Sequence, residues 1–374
     1  MKKNIIEYYF SKSYLILTLF VFLLFILNID ITKLPDYNSY ERIYSGSVLE
    51  SISVGGWEPF FMMINFIANS FDIKYDDYRL IVLFTSILLW FLSFTIIKRK
   101  EKKSILVALN KSSLNSFRIR KYSMFINILI IFSIVLFMFE FYIIRIRAGL
   151  TISFFIFAFA ILWNRTNKAS ILNSVIAFIL LLISSQTHFS TFVILSYLVL
   201  FPYLIAKVYF YAKFKYKVNF NFLIYICLYI LSILVLKSII DAVEVSRIGV
   251  ASQLNPVRFF SVAILPLLIA LPIFKQKKLF LNLTTRNVGL NEVTSFRDVY
   301  YYFIFLNYIY LLINLVFFYS FGLVDIAGEA VVRVYSLAYI PAFLIIFNTN
   351  KKYVYFWLIV ILVNALFFMN TIYG

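Results

Sequence analysis

The chain has few of the residues that build disulfides, metal sites and water-exposed surfaces. It contains one cysteine and one histidine in 374 residues, so an internal disulfide is excluded and no Cys/His cluster indicates a metal. Charged residues make up 14% of the chain, against about a quarter in a soluble domain. Hydrophobic residues make up 63%, and the mean hydropathy is +0.91. No soluble fold of this size could bury so much apolar surface, which excludes a cytosolic enzyme, a secreted domain and a disordered chain.

Several motifs that bind phosphate or carry out catalysis are also missing. The sequence has no glycine-rich phosphate loop, no paired-aspartate D-x-D motif and no serine-nucleophile elbow. The segments assigned below to the cytoplasm are short and basic, which leaves no room for a nucleotide-binding domain. Any substrate is therefore expected to come from the membrane or from outside, and neither a cofactor nor a metal is expected.

Long apolar runs dominate the sequence and predict membrane-spanning helices. A helical span needs roughly 20 residues, and the runs are apolar on all faces, which excludes the alternating strands of a membrane barrel. Eleven runs are long enough, or nearly so: 14–27, 78–97, 123–140, 148–163, 169–185, 189–206, 219–237, 259–274, 299–319, 333–347 and 353–369. The shorter run 59–71 predicts a re-entrant or interfacial helix. Cys227 lies inside one of the runs and is predicted to be buried.

The distribution of charge gives these spans an orientation. With the N-terminus in the cytoplasm and an uncleaved first span, the inner segments carry 25 of the 35 Lys and Arg residues and only 4 of the 17 acidic residues. Basic residues hold loops on the inner side of a membrane, so the net charge of +18 does not indicate a nucleic-acid partner. The sequence predicts an all-α, polytopic inner-membrane protein. It forms a single integral membrane domain (1–374) with an extracytoplasmic segment at 29–77.

The extracytoplasmic segment contains acidic and aromatic residues on a helical spacing. Asp36, Tyr40 and Tyr44 lie four residues apart and share one face of a short helix. Such a helix face can bind a sugar, because aromatic rings stack on the apolar faces of the sugar while a carboxylate accepts hydrogen bonds from the sugar hydroxyls. The alternative is an amphipathic interfacial helix with a tyrosine belt.

Two residues at the predicted outer surface are candidates to accept a proton. Glu58 precedes Pro59, and proline suits the first position of a helix. A carboxylate held just above the membrane core could act as a general base, or it could merely complement the helix N-terminus. His188 lies at a tight outer turn, where it is either a base that titrates near neutral pH or a hydrogen-bonded turn residue.

Arginines on the outer side run against the overall bias of charge. Arg145 and Arg147 open the run 148–163, and Arg333 opens the run 333–347. Guanidinium groups and free backbone N–H groups at a helix N-terminus together form a good site for an anion such as a phosphate. The alternatives are arginines that snorkel to lipid headgroups and weak salt bridges at helix ends.

The order of these short motifs resembles the EpsG-like branch of the Wzy polysaccharide polymerases. The resemblance extends from about residue 10 to 350 and rests on these motifs: Asp36-x3-Tyr40-x3-Tyr44, Glu58-Pro59-Phe60-Phe61, Arg147-Ala148, Thr187-His188-Phe189-Ser190 and Arg333-x-Tyr335. The family usually has a single arginine where this chain has Arg145 and Arg147, so either one can align with it.

The resemblance implies a glycosyltransferase at the outer membrane face that joins oligosaccharide repeat units carried on undecaprenyl diphosphate into a capsule, exopolysaccharide or O-antigen. Arg145, Arg147 and Arg333 would bind the lipid diphosphate, with Arg147 in a catalytic role. Glu58 or His188 would accept the proton of the acceptor hydroxyl, and Asp36, Tyr40 and Tyr44 would hold sugars. Its partners would be the lipid bilayer and the flippase and chain-length regulator of the same pathway.

Three other classes of membrane protein remain alternatives. A flippase or transporter would show internal repeats and charges near the membrane midplane. An O-antigen ligase has similar chemistry but usually has its large outer loop late in the chain. An O-acyltransferase would need a histidine that reaches a cytoplasmic acyl donor, whereas His188 is predicted to lie outside.

Overall fold

The structure, a computed structural model, describes residues 37–46, 58–109, 145–163, 170–214, 227, 299–300, 303–304 and 306. Every element in this part of the chain is helical, and it contains no strand. The elements are α1 (Tyr37–Ser45), α2 (Pro59–Ser70), α3 (Tyr75–Leu109), α4 (Ile146–Trp163), α5 (Ser170–Thr187), α6 (Phe189–Leu195), a π-helical turn (Ser196–Leu200) and α7 (Phe201–Phe214). The predicted spans at 14–27, 123–140, 219–237, 259–274, 299–319, 333–347 and 353–369 lie wholly or mostly outside the described residues.

Two helices of the described part are long and apolar enough to cross a membrane. One is α4, and the other is the continuous helical stretch Phe189–Tyr209. Both agree within a few residues with the predicted runs 148–163 and 189–206. The predicted run 169–185 corresponds to α5, and the short run 59–71 forms α2, with Pro59 as its first residue.

Helix α4 is the centre of the first of two compact units, which are divided between Phe192 and Val193. It packs against α3 on one side and α5 on the other. Its middle is apolar around the whole circumference, and Ile152, Phe155, Ala158 and Ala160 are fully buried. A helix that is hydrophobic on all sides is stable only inside other helices or lipid, which accounts for its central place.

A reciprocal pair of hydrogen bonds joins α4 to α5. The hydroxyl of Ser184 donates to the Thr151 carbonyl at 3.0 Å, and the hydroxyl of Thr151 donates to the Ser184 carbonyl at 3.5 Å. Both side chains are fully buried. Small hydroxyl residues let helices approach closely and bond across the interface, so this pair fixes the register of the two helices near the candidate site described below.

The turn after α2 positions the short helix α1. The N–H of Asp72 donates to the Asn69 carbonyl and the N–H of Ile73 to the Ala68 carbonyl, which is the Schellman pattern of helix termination. Asp72 takes a φ of 54°, a conformation that glycine adopts more easily. The turn presents the Ile73 carbonyl to Tyr44 of α1, whose hydroxyl donates to it at 2.6 Å.

Two details differ from the sequence predictions. Helix α3 continues to Leu109, so the first half of the basic segment 98–121, predicted as a loop, is helical. Its Lys, Arg, Glu, Leu and Ala residues are good helix formers, a signal independent of hydropathy.

Cys227, predicted to be buried, is exposed. An apolar run shows that its residues are removed from water. It does not show whether a given side chain faces lipid or is buried inside the protein, because both positions favour apolar residues.

The second unit contains a proline-dependent distortion. Pro202 has no backbone N–H and its ring would clash with the carbonyl four residues earlier. The preceding segment Ser196–Leu200 is π-helical, and the N–H of Phe201 donates to the Ser196 carbonyl. The Tyr300 hydroxyl donates to the Val199 carbonyl of this turn at 3.4 Å.

Candidate functional site

An ion pair between Arg147 and Glu58 forms the centre of the candidate site. An N–H of the Arg147 guanidinium donates to Glu58 Oε2 at 2.6 Å, and the side chains are 14% and 5% exposed. Arg147 lies in the first turn of α4, and Glu58 is the residue before α2. The Glu58 side chain makes no capping hydrogen bond to its own helix; it is directed to Arg147 instead.

Two aromatic rings surround the guanidinium group. The Arg147 Cζ atom lies 5.0 Å from the centroid of the Tyr40 ring and 5.9 Å from that of Phe61. Both distances fall within the range of cation–π attraction, which is stronger where water is excluded. Tyr40 belongs to α1 and Phe61 to α2, so two segments distant in sequence from α4 hold its charged group in place.

His188 lies on the other side of Glu58. Its Nδ1 atom is 4.0 Å from Glu58 Oε1, beyond hydrogen-bond distance. Nδ1 also accepts a long hydrogen bond of 3.5 Å from the Thr191 N–H and lies 3.0 Å from the Ser190 Oγ. His188 therefore caps the start of α6, as the turn interpretation expected, and it also faces the carboxylate.

The three charged or titratable side chains gather at one end of the helix assembly. Arg147 is at the beginning of α4, Glu58 at the beginning of α2 and His188 directly after the end of α5. Since α4 is of membrane-spanning length, this end of the helix corresponds to a membrane surface if α4 crosses a bilayer. A partly buried cation at such a position can bind an anion with little competition from water.

The predicted sugar-binding tyrosines have different surroundings. Tyr40 contacts Arg147, whereas the Tyr44 ring stacks on Tyr78 at 4.8 Å and its hydroxyl is bonded to Ile73. Burial raises the pKa of the Tyr44 hydroxyl, so it remains a protonated donor at neutral pH. Tyr44 therefore anchors α1 in this structure, and a sugar-binding role for it stays a prediction.

Three further residues were predicted to belong to the site. Asp36 and Arg333 lie outside the described residues. Arg145 directly precedes α4, is half-buried, and accepts the N–H of Gly149 with its carbonyl at 3.0 Å. Of the two arginines that the sequence left open, Arg147 pairs with Glu58 and lies over the Tyr40 ring.

A second buried arginine was missed at the sequence level. Arg79 is 5% exposed, and its Cζ atom lies 5.2 Å from the Tyr37 ring centroid and 5.7 Å from that of Tyr75. The Tyr37 hydroxyl donates to Asp76 at 2.8 Å, and burial together with this bond raises the pKa of Tyr37 to about 12. The spacing Tyr75-x3-Arg79 at the start of an apolar run was the available signal. This group fixes the beginning of α1 on α3.

Among the residues that the structure describes, no three His, Cys, Asp or Glu side chains come together to hold a metal ion. The site assembled here consists of one guanidinium, one carboxylate, one imidazole and aromatic rings, which suits the binding of an anion and the movement of a proton.

Comparisons with protein-family models, with curated proteins and with solved structures find no match to this chain.

Proposed function

We propose that the protein is a membrane glycosyltransferase that polymerises undecaprenyl-diphosphate-linked oligosaccharide repeat units into a surface polysaccharide. The observation that carries the proposal is the convergence of Arg147, Glu58, His188 and Tyr40 at one end of a membrane-length helix. These residues come from the short motifs on which the resemblance to the EpsG-like Wzy polymerases rests, although the motifs are far apart in the chain.

The apolar surfaces of the first unit support a multi-pass position in the bacterial inner membrane. Helix α5 exposes a continuous stripe of large apolar side chains at spacings of three and four residues: Ile171, Leu172, Val175, Phe178, Ile179 and Leu182. Helix α3 exposes Ile81, Phe84 and Leu88 and has no charged residue between Leu80 and Ile97. Stripes of this size would be unfavourable in water and suit contact with lipid.

The charged residues suit the breaking of a sugar–diphosphate bond. In the proposed reaction, a hydroxyl oxygen of the acceptor unit attacks the anomeric carbon of the lipid-linked donor chain. The bond from that carbon to the diphosphate oxygen breaks, and its electron pair stays on the diphosphate. Arg147 binds the diphosphate and offsets this developing charge, with Arg145 and Arg333 as further candidates for the same anion.

The proton of the attacking hydroxyl needs an acceptor in the same place. Glu58 and His188 remain the two candidates, and the geometry favours His188. One oxygen of Glu58 is engaged by the Arg147 guanidinium, and a neighbouring cation disfavours protonation of a carboxylate, whereas His188 Nδ1 contacts the uncharged Ser190 hydroxyl and Thr191 N–H. An imidazole has an intrinsic pKa near neutral, which suits a general base. Tyr40 next to the guanidinium is the candidate to contact sugar, and Asp36 and Tyr44 keep that predicted role.

The release of the lipid carrier tests the reaction. Membranes of the native host are supplied with its own lipid-linked repeat units, and free undecaprenyl diphosphate is measured over time. The proposal expects release that depends on this gene and falls to background with Arg147→Ala. Release that is equal with and without the gene contradicts a glycosyltransferase and favours a flippase or transporter.

An exposed arginine provides a matched control for this test. Arg42 is on the outward face of α1, so Arg42→Ala removes the same kind of charge from the same region without touching the candidate site. Release at the wild-type rate with Arg42→Ala, together with loss in Arg147→Ala, assigns the effect to the site rather than to net charge.

A further inference from the structure

The position of Glu58 between a cation and an imidazole suggests that it has two alternative partners. Its Oε2 atom accepts a short hydrogen bond from Arg147, and its Oε1 atom lies 4.0 Å from His188 Nδ1. A hydrogen bond needs a separation of about 2.8 Å, so a shift of roughly 1.2 Å in the carboxylate would connect it to His188.

The Glu58 carboxylate also engages a guanidinium nitrogen that an anionic substrate would use. Arg147 is 14% exposed, its guanidinium is bordered by Tyr40 and Phe61, and Glu58 holds the Nη1 nitrogen. A diphosphate that binds this guanidinium brings more negative charge and more acceptor oxygens than a carboxylate. It therefore competes directly with Glu58 for Arg147.

The geometry points to Glu58 as a switch that couples substrate binding to activation of His188: in this structure it is the counter-ion of Arg147, and a bound diphosphate displaces it onto His188 Nδ1. This inference rests on the proposed function, because it takes the diphosphate of the lipid carrier as the displacing anion. Glu58 is then a positioning residue. His188 becomes able to accept the proton of the attacking hydroxyl only when the lipid-diphosphate donor is bound.

Displacement of Glu58 onto His188 has two consequences. It changes the tautomer of the neutral imidazole, and the carboxylate stabilises the imidazole once it is protonated. In this structure Nδ1 accepts the Thr191 N–H, which corresponds to a neutral ring with its proton on Nε2. A carboxylate at Nδ1 accepts a hydrogen bond only from Nδ1–H, which leaves the lone pair on Nε2 to accept the proton of the attacking hydroxyl. An orienting carboxylate acts in this way on the histidine of hydrolytic triads.

Glu58, Arg147 and Arg145 are the charged groups at this end of α2 and α4, and Tyr40 is the phenol contributed by α1.

The single histidine allows a direct test of this switch. The full-length protein is purified in lipid nanodiscs through a histidine-free tag, with ¹³C,¹⁵N-labelled histidine, so that every histidine signal in NMR comes from His188. Inorganic pyrophosphate is the probe. The expected result is a rise in the His188 pKa of about one unit or more on binding, together with a shift of the neutral form toward the Nδ1–H tautomer.

Glu58→Gln separates the switch from a direct effect of the bound anion. We expect this variant to bind pyrophosphate about tenfold more tightly, because the internal competitor has lost its charge, while the pKa of His188 no longer responds. Asp77→Asn neutralises an exposed carboxylate at the start of α3 and is expected to behave as wild type. If Glu58→Gln does not fold, Glu58→Asp replaces it. The shorter acid reaches Arg147 less well, so tighter binding and a smaller response of His188 are expected.

Three results would contradict the switch. They can be told apart from the results that would contradict the proposed function. Pyrophosphate that binds without changing His188, an unchanged response in Glu58→Gln, or weaker binding in that variant each contradicts the displacement of Glu58. The anion site stands in all three cases. Wild-type protein that does not bind pyrophosphate, or that binds it equally with Arg147→Ala, contradicts the diphosphate role of Arg147 and hence the proposed function itself.

Discussion

Glu58 and Arg147 are 89 residues apart in the sequence, yet their side chains meet at 2.6 Å and are both largely buried. The pair brings the start of a short helix to the start of the central helix of the first unit, and it sets the charge at the candidate site. Taking either partner away leaves the other as an uncompensated charge in a poorly solvated place, which is costly.

The geometry of the Arg147 guanidinium is expected to matter beyond its charge. Arg147→Lys keeps the positive charge but removes the planar fork that binds diphosphate oxygens through two N–H groups and that stacks on Tyr40. Losing charge-assisted hydrogen bonds of about 1.5–3 kcal/mol each should lower polymer formation at least about tenfold. The measurement is surface polysaccharide length and amount in complemented cells, with Arg42→Lys as the control. Normal polymer with Arg147→Lys would mean that charge alone suffices there.

A double-mutant cycle should show strong coupling between the two partners. Glu58→Gln and Arg147→Met each leave one unpaired charge, and each is expected to cost about 3–5 kcal/mol of unfolding free energy. The double variant leaves neither charge and should be more stable than the sum of the single effects predicts, by at least about 1.5 kcal/mol. Unfolding by denaturant in mixed micelles gives these values. Strict additivity would show that the 2.6 Å contact carries little energy.

The reciprocal bonds between α4 and α5 are expected to stabilise the helix pair modestly. Ser184→Ala removes the hydroxyl that donates to the Thr151 carbonyl, and buried bonds between membrane helices average about 0.6 kcal/mol, with a maximum near 1.7. We expect a loss in that range. Ser185→Ala is the matched control, because that hydroxyl bonds within its own helix, to the Leu182 carbonyl. Equal melting temperatures for the two variants would argue against a role for the interhelical pair.

Asp72→Gly is expected to stabilise the turn between α2 and α3. Asp72 has a φ of 54°, and the left-handed conformation costs a residue with a Cβ atom about 1 kcal/mol relative to glycine. The variant should therefore melt at a higher temperature. The same change at Asp77, inside the first turn of α3, should destabilise by about 0.5–1 kcal/mol, because glycine disfavours helix. Destabilisation by both substitutions would show that Asp72 makes interactions worth more than the backbone strain.

The helices near the site were largely predictable from the sequence, whereas the contacts at the site were not. The uncharged run 148–163 predicted α4 within two residues, because hydropathy marks a membrane-length helix directly. Pro59 marked the start of α2. Hydropathy gave no signal for the continuation of α3 to Leu109, which depends on helix propensity. It also could not reveal that Tyr40 would contact Arg147 while Tyr44, one turn later, would bond to Ile73. Such contacts depend on how α1 is placed against α2, α3 and α4, and a single sequence carries no distance information between segments.

The most direct test of the proposed polymerase is the glycan profile of a host that lacks this gene, with lipid-linked and surface saccharides sized by gel electrophoresis and mass spectrometry. The expected result is the loss of long chains and the accumulation of single lipid-linked repeat units on the outer leaflet, restored to long polymer by the intact gene but not by Arg147→Ala. Long chains that accumulate on undecaprenyl diphosphate would identify a ligase, and polymer lacking only an acyl group an acyltransferase. Single units trapped on the inner leaflet, or polymer of normal length, would contradict the polymerase.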